Sequence, residues 1–246
     1  QLGLRYIHVT GTNGKGSVCW KLAHILEEAG YKVGLFTSPH ISSYRERFRI
    51  NRQIIDEAPL TELLDKVLAM AQSNGLTSQL SFFDVAVLSG LLYFRQAQVD
   101  VVVMEVGIGG RLDPTNIIPP SSLAVITSVA LEHTQALGDT VEKIAGDKSH
   151  IIKDKMPAVI GPRVPLQVLR DRVALTGSPL HIAQPPPGCT WDEENQAVVK
   201  LCLDTLKADP FYSRLVDADR AVEMGLASPP PCRCEVWPAN EIASVS

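Results

Sequence analysis

Residues 5–17 read RYIHVTGTNGKGS, an apolar strand pattern that runs directly into a glycine-rich turn. The next residues, 17–29, place apolar side chains at helical spacing until Gly30 ends the pattern. In a unit of strand, glycine-rich loop and helix, backbone N–H groups and the positive end of the helix converge on one point. Phosphate is the natural ligand at that point, so this stretch predicts a phosphate-binding loop.

The loop departs from the standard P-loop spacing at two positions. That spacing requires glycine where Val9 stands and a hydroxyl residue directly after the lysine, where Gly16 stands. The chemistry is retained, because glycines let the backbone approach phosphate oxygens and Lys15 can neutralise the β- and γ-phosphates. We interpret the stretch as a variant loop for ATP or GTP; the alternative is a glycine-rich turn whose lysine is merely exposed.

Strand-like and helix-like segments alternate along the rest of the chain. The run VDVVVMEV at 99–106 is apolar and β-branched, which is typical of a central strand covered on both faces. Strands are also predicted at 5–10, 32–36, 123–128, 158–161 and 180–182, and helices at 17–29, 60–72, 82–98, 140–153, 165–174, 193–207 and 213–224. This alternation predicts an α/β fold, a mostly parallel sheet flanked by helices around a P-loop ATPase core.

The composition is that of a globular protein and excludes several functional classes. Of 246 residues, 45% are hydrophobic and 20% are charged, and the formal net charge is -4. Without a basic excess, nucleic acid is not expected as a partner. The longest apolar stretch, 82–94, contains Asp84 and Ser89 and is shorter than the ~18 apolar residues of a membrane span, so no membrane association is expected.

The cysteines indicate the cellular compartment in which the protein is expected. The five cysteines contain no CxxC pair, which argues against a disulfide framework or a zinc site. A reducing cytosol fits this pattern, and we expect a cytoplasmic protein.

The character of the sequence changes after residue 183, where prolines cluster at 185–187 and again at 229–231. We assign residues 1–183 to an ATP-binding domain and 184–236 to its helical, proline-rich remainder. Residues 237–246 are interpreted as the start of a further domain or as a non-native tail. Because the first residue is Gln1 and strand-like sequence follows almost at once, we expect the chain to begin within a longer protein.

Polar residues follow several predicted strands, at the end of a parallel sheet where ligands bind. Glu105 closes an apolar strand, where a carboxylate is costly to bury unless a partner such as phosphate-bound Mg²⁺ is present. Ser38 and His133 also follow strands. The alternatives are a Glu105 that reaches solvent or caps a loop, a structural His133, and a Lys148 that faces solvent on its helix.

Six segments, in order, strongly resemble the folylpolyglutamate synthase and dihydrofolate synthase family, relatives of the Mur ligases. They are HVTGTNGKGSV (8–18), FTSPHISSYRERFRIN (36–51), SFFD (81–84), EVGIGGRLDPTN (105–116), SVALEHTQALGDT (128–140) and IAGDKSHIIK (144–153). The resemblance implies an ATP-dependent amide ligase that joins L-glutamate to dihydropteroate or a folate through an acyl phosphate. Small-molecule substrates and a monomer are expected with it.

The resemblance also implies roles for individual residues. Those for ATP are Thr12, Asn13, Gly14, Lys15, Gly16, Ser17, Asn195 and Arg233; those for two Mg²⁺ ions are Ser38, Glu105 and His133. The residues that line the acceptor site are Ser81, Phe82, Phe83, Asp84, Leu112, Asp113 and Pro114, and the catalytic set is Lys15, Lys148 and His133. Lys148 matches a lysine that the family modifies with CO₂ to an N6-carboxylate. That reaction needs a neutral amine, so a lowered pKa is expected at Lys148.

The sequence departs from the family pattern at Asp84, where Glu is usual, and at Arg52, where Gly is usual after Ile50-Asn51. Asp84 alternatively serves only to complement the dipole of its helix. Family members carry an N-terminal segment and a C-terminal domain that this chain does not show, so a fragment with incomplete catalytic capacity is expected. Two other functions stay open: a nucleotide-binding remnant that ligates nothing, and a Mur-type peptidoglycan ligase, which the GGRLDPTN segment disfavours.

Overall fold

The computed structural model describes residues 4–120 and 122–231. The strands in this part of the chain are β1 (Arg5–Thr10), β2 (Val33–Phe36), β3 (Phe48–Ile50), β4 (Gln53–Ile54), β5 (Val101–Glu105), β6 (Leu123–Ile126), β7 (Ala158–Ile160) and β8 (Leu180–Ile182). The α-helices are α1 (Lys15–Glu28), α2 (Glu57–Ser73), α3 (Phe82–Gln96), α4 (Thr134–Leu137), α5 (Val141–Ser149), α6 (Leu166–Thr176), α7 (Trp191–Leu206) and α8 (Asp219–Ala227). Short 3-10 turns occupy 44–47, 114–117 and 210–215.

All eight strands join one sheet in the order β4-β3-β2-β5-β1-β6-β7-β8. The six strands from β2 to β8 in this order pair in parallel, whereas β3 and β4 add an antiparallel hairpin at one edge. The predicted α/β class with a mostly parallel sheet is therefore confirmed. Because β1 lies between β5 and β6, the carboxyl ends of these three strands lie side by side.

Helices cover both faces of the sheet and bury an apolar core on each. Alternate residues of β1 point to opposite faces, as the strand period of two requires. Ile7 and Val9 pack in the core beneath α1 and α7, whereas Tyr6 packs in the core beneath α2 and α3. A third core lies between β6, β7 and the pair α5 and α6. Helix α8 packs on α1, which places the segment after residue 183 on the same core as the phosphate loop.

Most predicted elements form, and their ends differ by a few residues. Helix α1 begins two residues before its predicted start, because Gly14 adopts φ +86° and ends the loop there. The helix predicted at 213–224 is wrong: a 3-10 turn at Pro210–Leu215 and the separate helix α8 occupy this region. The hairpin of β3 and β4 was not predicted, and its turn residues Asn51 and Arg52 both have positive φ.

Within the described ranges, no helix combines the length and the apolarity that crossing a bilayer demands.

Candidate functional site

The loop between β1 and α1 depends on two glycines. Gly11 has φ +147° and Gly14 has φ +86°, a region that side chains rarely adopt. A Cβ at Gly11 would lie 2.0 Å from Oγ1 of Thr127, and one at Gly14 would lie 2.3 Å from Oδ1 of Asn195. Any other residue would displace these neighbours. The contact at Gly14 also places the predicted nucleotide residue Asn195 against the loop.

The segment that follows β6 fixes the loop by hydrogen bonds. Thr12 N donates to the carbonyl of Ser128 at 2.8 Å, and Asn13 N donates to Oγ of Ser128 at 3.0 Å. The Thr127 hydroxyl donates to the Asn13 carbonyl at 2.6 Å. Lys15 Nζ donates to the carbonyls of Gly11 and Thr12 at 2.8 and 3.2 Å, so its ammonium group lies over the loop. These hydrogen bonds tie the loop to the segment after β6 and to the ammonium group of Lys15.

Lys148 is buried at the same place, and it does not face solvent. It is 1% exposed, and its Nζ lies 2.6 Å from Oε1 of Glu132. Glu132 Oε1 also accepts a hydrogen bond from the Thr12 hydroxyl at 3.0 Å, so one carboxylate links the phosphate loop to α5. Burial lowers the pKa of Lys148, opposed by Glu132 and assisted by the charge of Lys15, which agrees with the expected direction.

The carboxylate of Glu132 is held ionised by these neighbours. Burial alone would raise the pKa of Glu132, but the hydrogen bond and charge of Lys148 and the Thr12 hydroxyl outweigh it, and the pKa is lowered. Glu132 was not among the site residues predicted from the sequence. The one available signal was its place in the quoted segment 128–140, next to His133.

Glu105 lies at the carboxyl end of β5 and is 4% exposed, so it does not reach solvent. Its Oε2 accepts a hydrogen bond from Ser38 N at 3.0 Å. A Cβ at Gly16 would lie 3.7 Å from Oε1 of Glu105, so the carboxylate also faces the first turn of α1. The structure therefore brings Ser38, Glu105 and the phosphate loop together.

His133 is exposed, with φ +43°, at the start of the short helix α4. Across residues 4–120 and 122–231, no three His, Cys, Asp or Glu side chains are grouped closely enough to hold a metal ion. A magnesium ion is commonly held by one or two carboxylates, water and substrate phosphates, which a single buried carboxylate such as Glu105 suits.

The predicted acceptor segments 81–84 and 112–114 meet at Gly107. A Cβ there would lie 2.7 Å from the Phe83 ring and 3.1 Å from Oδ2 of Asp113. Asp113 is buried, which raises its pKa, although hydrogen bonds from Thr115 and backbone amides oppose this effect. Leu112 is exposed and Pro114 begins the adjoining 3-10 turn.

Ser81 and Asp84 form a reciprocal cap at the start of α3. The Ser81 hydroxyl accepts from Asp84 N at 3.1 Å, and Oδ2 of Asp84 accepts from Ser81 N at 2.8 Å. The alternative function of Asp84 at its helix end therefore has direct structural support. Phe82, the next residue after the cap, is 64% exposed.

A cavity of about 600 Å³ opens from the phosphate loop toward α7. Asn13, Gly14, Trp191 and Asn195 line it, and the Arg163 guanidinium lies 3.6 Å from the centre of the Trp191 ring. The indole is therefore held in place and can stack with a planar ligand. Arg233, predicted to reach a nucleotide, lies outside the described residues.

The glycine-rich loop lies at the carboxyl end of the central strands, is held by hydrogen bonds and opens into a cavity. These features define a nucleotide-binding α/β domain of the phosphate-loop class. Within that class, the chain belongs to the Mur ligase family, whose middle-domain model matches residues 9–162.

Three comparisons describe its relatives. The chain is 46% identical over 179 residues to folylpolyglutamate synthase of Lacticaseibacillus casei, over 71% of this chain and 42% of that protein. It is 44% identical over 158 residues to dihydrofolate synthase/folylpolyglutamate synthase of Escherichia coli, over 64% of this chain and 36% of that protein. A solved structure of E. coli FolC with DHPP and ADP superimposes with TM-score 0.82 and 31% identity, over 97% of this chain and 60% of that one. The matched part of the chain thus spans 42% and 36% of the length of these two curated relatives.

Proposed function

We propose that this chain is the nucleotide-binding part of an ATP-dependent amide ligase that joins L-glutamate to dihydropteroate or to a folate. The observation that carries the proposal is the link from Thr12 through Glu132 to Lys148, which places a buried lysine beside the phosphate loop. The names of the relatives, and the DHPP and ADP in the FolC structure, support the same class of substrate.

In this proposal the ATP phosphates lie on residues 12–17, and Lys15 neutralises charge on the γ-phosphate. The base extends into the cavity beside Asn195 and Trp191. Arg233 is a further residue that we propose for the nucleotide, from the sequence alone. A carboxylate oxygen of the acceptor attacks the γ-phosphorus, and ADP leaves. The glutamate amine then attacks the acyl carbon, loses a proton and displaces phosphate. Positioning and charge neutralisation supply most of the catalysis in such a transfer.

Magnesium ions fit this site in part. Glu105, buried beside Ser38 and Gly16, is the residue we propose for a first ion, and His133 with Glu105 for a second. The support for His133 is its neighbour Glu132, which contacts Thr12 of the loop. Bound Mg²⁺ would neutralise phosphate charge that the protein's own cations leave uncompensated.

N6-carboxylation of Lys148 is the finer part of the proposal. The lowered pKa favours the neutral amine that reacts with CO₂. The product would carry a negative charge against Glu132, so the ion pair of 2.6 Å must open for the modification to form. Mass spectrometry of the native protein in bicarbonate, with Lys148→Arg as control, tests it: a CO₂ adduct absent from the variant is expected.

The acceptor lies between segments 81–84 and 112–114, which meet at Gly107. We further propose that the protein is a monomer. We also propose that it works in the cytoplasm, and the free thiols of Cys19, Cys189 and Cys202 support this location.

The test measures ADP release with dihydropteroate or tetrahydrofolate plus L-glutamate. The assay is run on this chain alone, and again with the unmatched C-terminal part of the L. casei relative supplied as a separate polypeptide. Acceptor-dependent ADP release in either assay supports the ligase. ATP binding without turnover in both would instead favour a nucleotide-binding remnant, and turnover only with a peptidoglycan precursor would favour a Mur-type substrate.

A further inference from the structure

Arg47 is a buried cation that the chemistry described so far leaves unused. It ends the 3-10 turn at 44–47, in the charged run that the sequence shows at 45–49, and it is 7% exposed. Its Nε donates to Nδ1 of His40 at 2.9 Å. Among residues 4–120 and 122–231, no acceptor of a hydrogen bond is found for its two terminal NH₂ groups. These two groups are not among the described buried polar atoms that lack a partner, so their four N–H donors keep contact with solvent and are open to a ligand.

The surroundings of Arg47 compensate its charge only weakly. The guanidinium carbon lies 5.7 Å from the ring centre of Tyr44 and 5.9 Å from those of Phe82 and Phe83. These distances are close to the ~6 Å limit of cation–π attraction. Burial lowers the pKa of Arg47, and the charges of Tyr44 and Glu105 oppose this without cancelling it. An anion in contact with the guanidinium would complete the site.

The position of Arg47 indicates which anion this is. Glu105 interacts electrostatically with Arg47 and also faces Gly16 in the first turn of α1. Arg47 is therefore connected through one residue to the phosphate loop, while Phe82 and Phe83 connect it to the acceptor segments. A ligand there needs a negative group near the γ-phosphate and a planar body for the exposed Phe82 ring.

We propose that Arg47 binds the acceptor carboxylate, the group that attacks the γ-phosphate, while the aryl part of the acceptor lies against Phe82. The inference rests on the proposed function and deepens it. A guanidinium pairs with a carboxylate through two parallel N–H···O bonds, which fixes the plane of the carboxylate as well as its charge. Such a pair keeps the nucleophile ionised and oriented.

The test compares dihydropteroate with its carboxamide, which has the same shape without the charge. Both are titrated by fluorescence in the presence of a non-hydrolysable ATP analogue. The protein should bind the carboxylate at least about tenfold more tightly than the amide, since a charged hydrogen-bonded pair is lost in the amide. In Arg47→Gln this preference should disappear. Arg45→Gln, which removes the same charge from the same turn, should retain it.

A second variant at position 47 distinguishes a lost contact from a misfolded protein. Arg47→Lys keeps the charge without the planar fork and should show an intermediate preference. The inference is overturned if Arg47→Gln keeps the full preference, if Arg45→Gln loses it equally, or if the unmodified protein binds acid and amide alike. If the protein binds the ATP analogue but binds neither the acid nor the amide, the proposed acceptor class is wrong, and this inference is wrong with it.

Discussion

At the scale of single residues, the two lysines of the site differ in what holds them. Lys15 contacts the carbonyls of its own loop, whereas Lys148 is buried and paired with Glu132. The first ammonium group can exchange loop carbonyls for phosphate oxygens when a nucleotide arrives. The ammonium group of Lys148 is already paired with the carboxylate of Glu132. It therefore acts on the nucleotide indirectly, through Glu132 and the Thr12 hydroxyl that Glu132 contacts.

Lys15→Ala should lower the affinity for ATP about tenfold or more and lower turnover with it, because a charge-assisted contact to phosphate is lost. Isothermal titration with a non-hydrolysable ATP analogue measures the first effect. Lys143→Ala, which removes an exposed lysine paired with Asp139, is the matched control. Equal affinity of the two variants would remove the role assigned to Lys15.

His8 predicts an acid-sensitive free energy of unfolding. It is fully buried on β1, and burial together with the charge of Lys153 lowers its pKa to about 3. Between about pH 3 and the unfolded value near 6.5, the unfolded chain binds the extra proton, so stability falls as the pH drops from 6.5. The loss is on the order of 1 kcal/mol per pH unit below the unfolded value.

Urea unfolding of His8→Gln at pH 7.5 and pH 5 should show a smaller difference between the two values than the unmodified protein does. His181→Gln, a partly exposed histidine on β8, should leave the difference unchanged. The same pH dependence in all three proteins would contradict the assignment to His8.

At this scale, the sequence predicted residues by chemistry but could not predict which loops meet. Lys15, Ser38 and Glu105 follow strands, and their convergence follows from parallel pairing alone. Glu132 and Arg47 were not selected, because their importance arises from a loop that folds onto the phosphate loop and from the rings of Phe82 and Phe83, which are distant in sequence. No local pattern carries that information.

At the scale of elements, the hairpin of β3 and β4 is the principal feature that the sequence did not reveal. The strands have three and two residues, too short for an alternating pattern, and the charged run at 45–49 obscures them. Its turn places Asn51 at φ +47° and Arg52 at φ +61°. Arg52 forms ion pairs with Glu27 at 2.5 Å and Glu28 at 3.2 Å, at the end of α1. These ion pairs offset the free-energy cost of its backbone conformation.

The backbone conformation of this turn predicts which of two variants at position 52 is the more stable. Arg52→Ala keeps the unfavourable conformation and loses both ion pairs, whereas Arg52→Gly loses the ion pairs but adopts the conformation freely. The glycine variant should therefore be more stable than the alanine variant by about 1 kcal/mol. Chemical denaturation of both measures the difference. An alanine variant as stable as the glycine variant would show that the turn is unstrained.

Helix ends were predicted less well than helices for a related reason. The start of α1 depends on the backbone of Gly14, and the break before α8 depends on Ala218, whose φ of -100° and ψ of 28° are not helical. Caps with side-chain oxygens are easier to recognise in a sequence: Thr140, a residue type that favours this position, precedes α5, and its hydroxyl accepts a hydrogen bond from Lys143 N.

At the scale of the whole molecule, Lys21 connects the phosphate-loop helix to the far end of the described chain. It is 1% exposed on α1, and its Nζ donates to the carbonyl of Leu226 at the end of α8. Nζ also lies 3.2 Å from Oδ1 of Asp192 at the start of α7. Three helices therefore meet at one ammonium group, beside the cavity that opens from the loop.

Lys21→Met keeps the aliphatic stem but leaves the Leu226 carbonyl without its lysine partner. The expected loss of stability is about 2–4 kcal/mol. Urea unfolding measures it, with Lys207→Met, a more exposed lysine at the end of α7, as control. A loss below the control's would mean that α8 is held by apolar packing alone.

The ends of the sheet have a consequence for self-association. In the part of the chain that the structure describes, one edge is β4, with two residues, and the other is β8, with three. Backbone donors and acceptors along an edge strand act as a template for another chain, and short edge strands are one way in which proteins avoid this. These edges therefore offer little template for edge-to-edge aggregation.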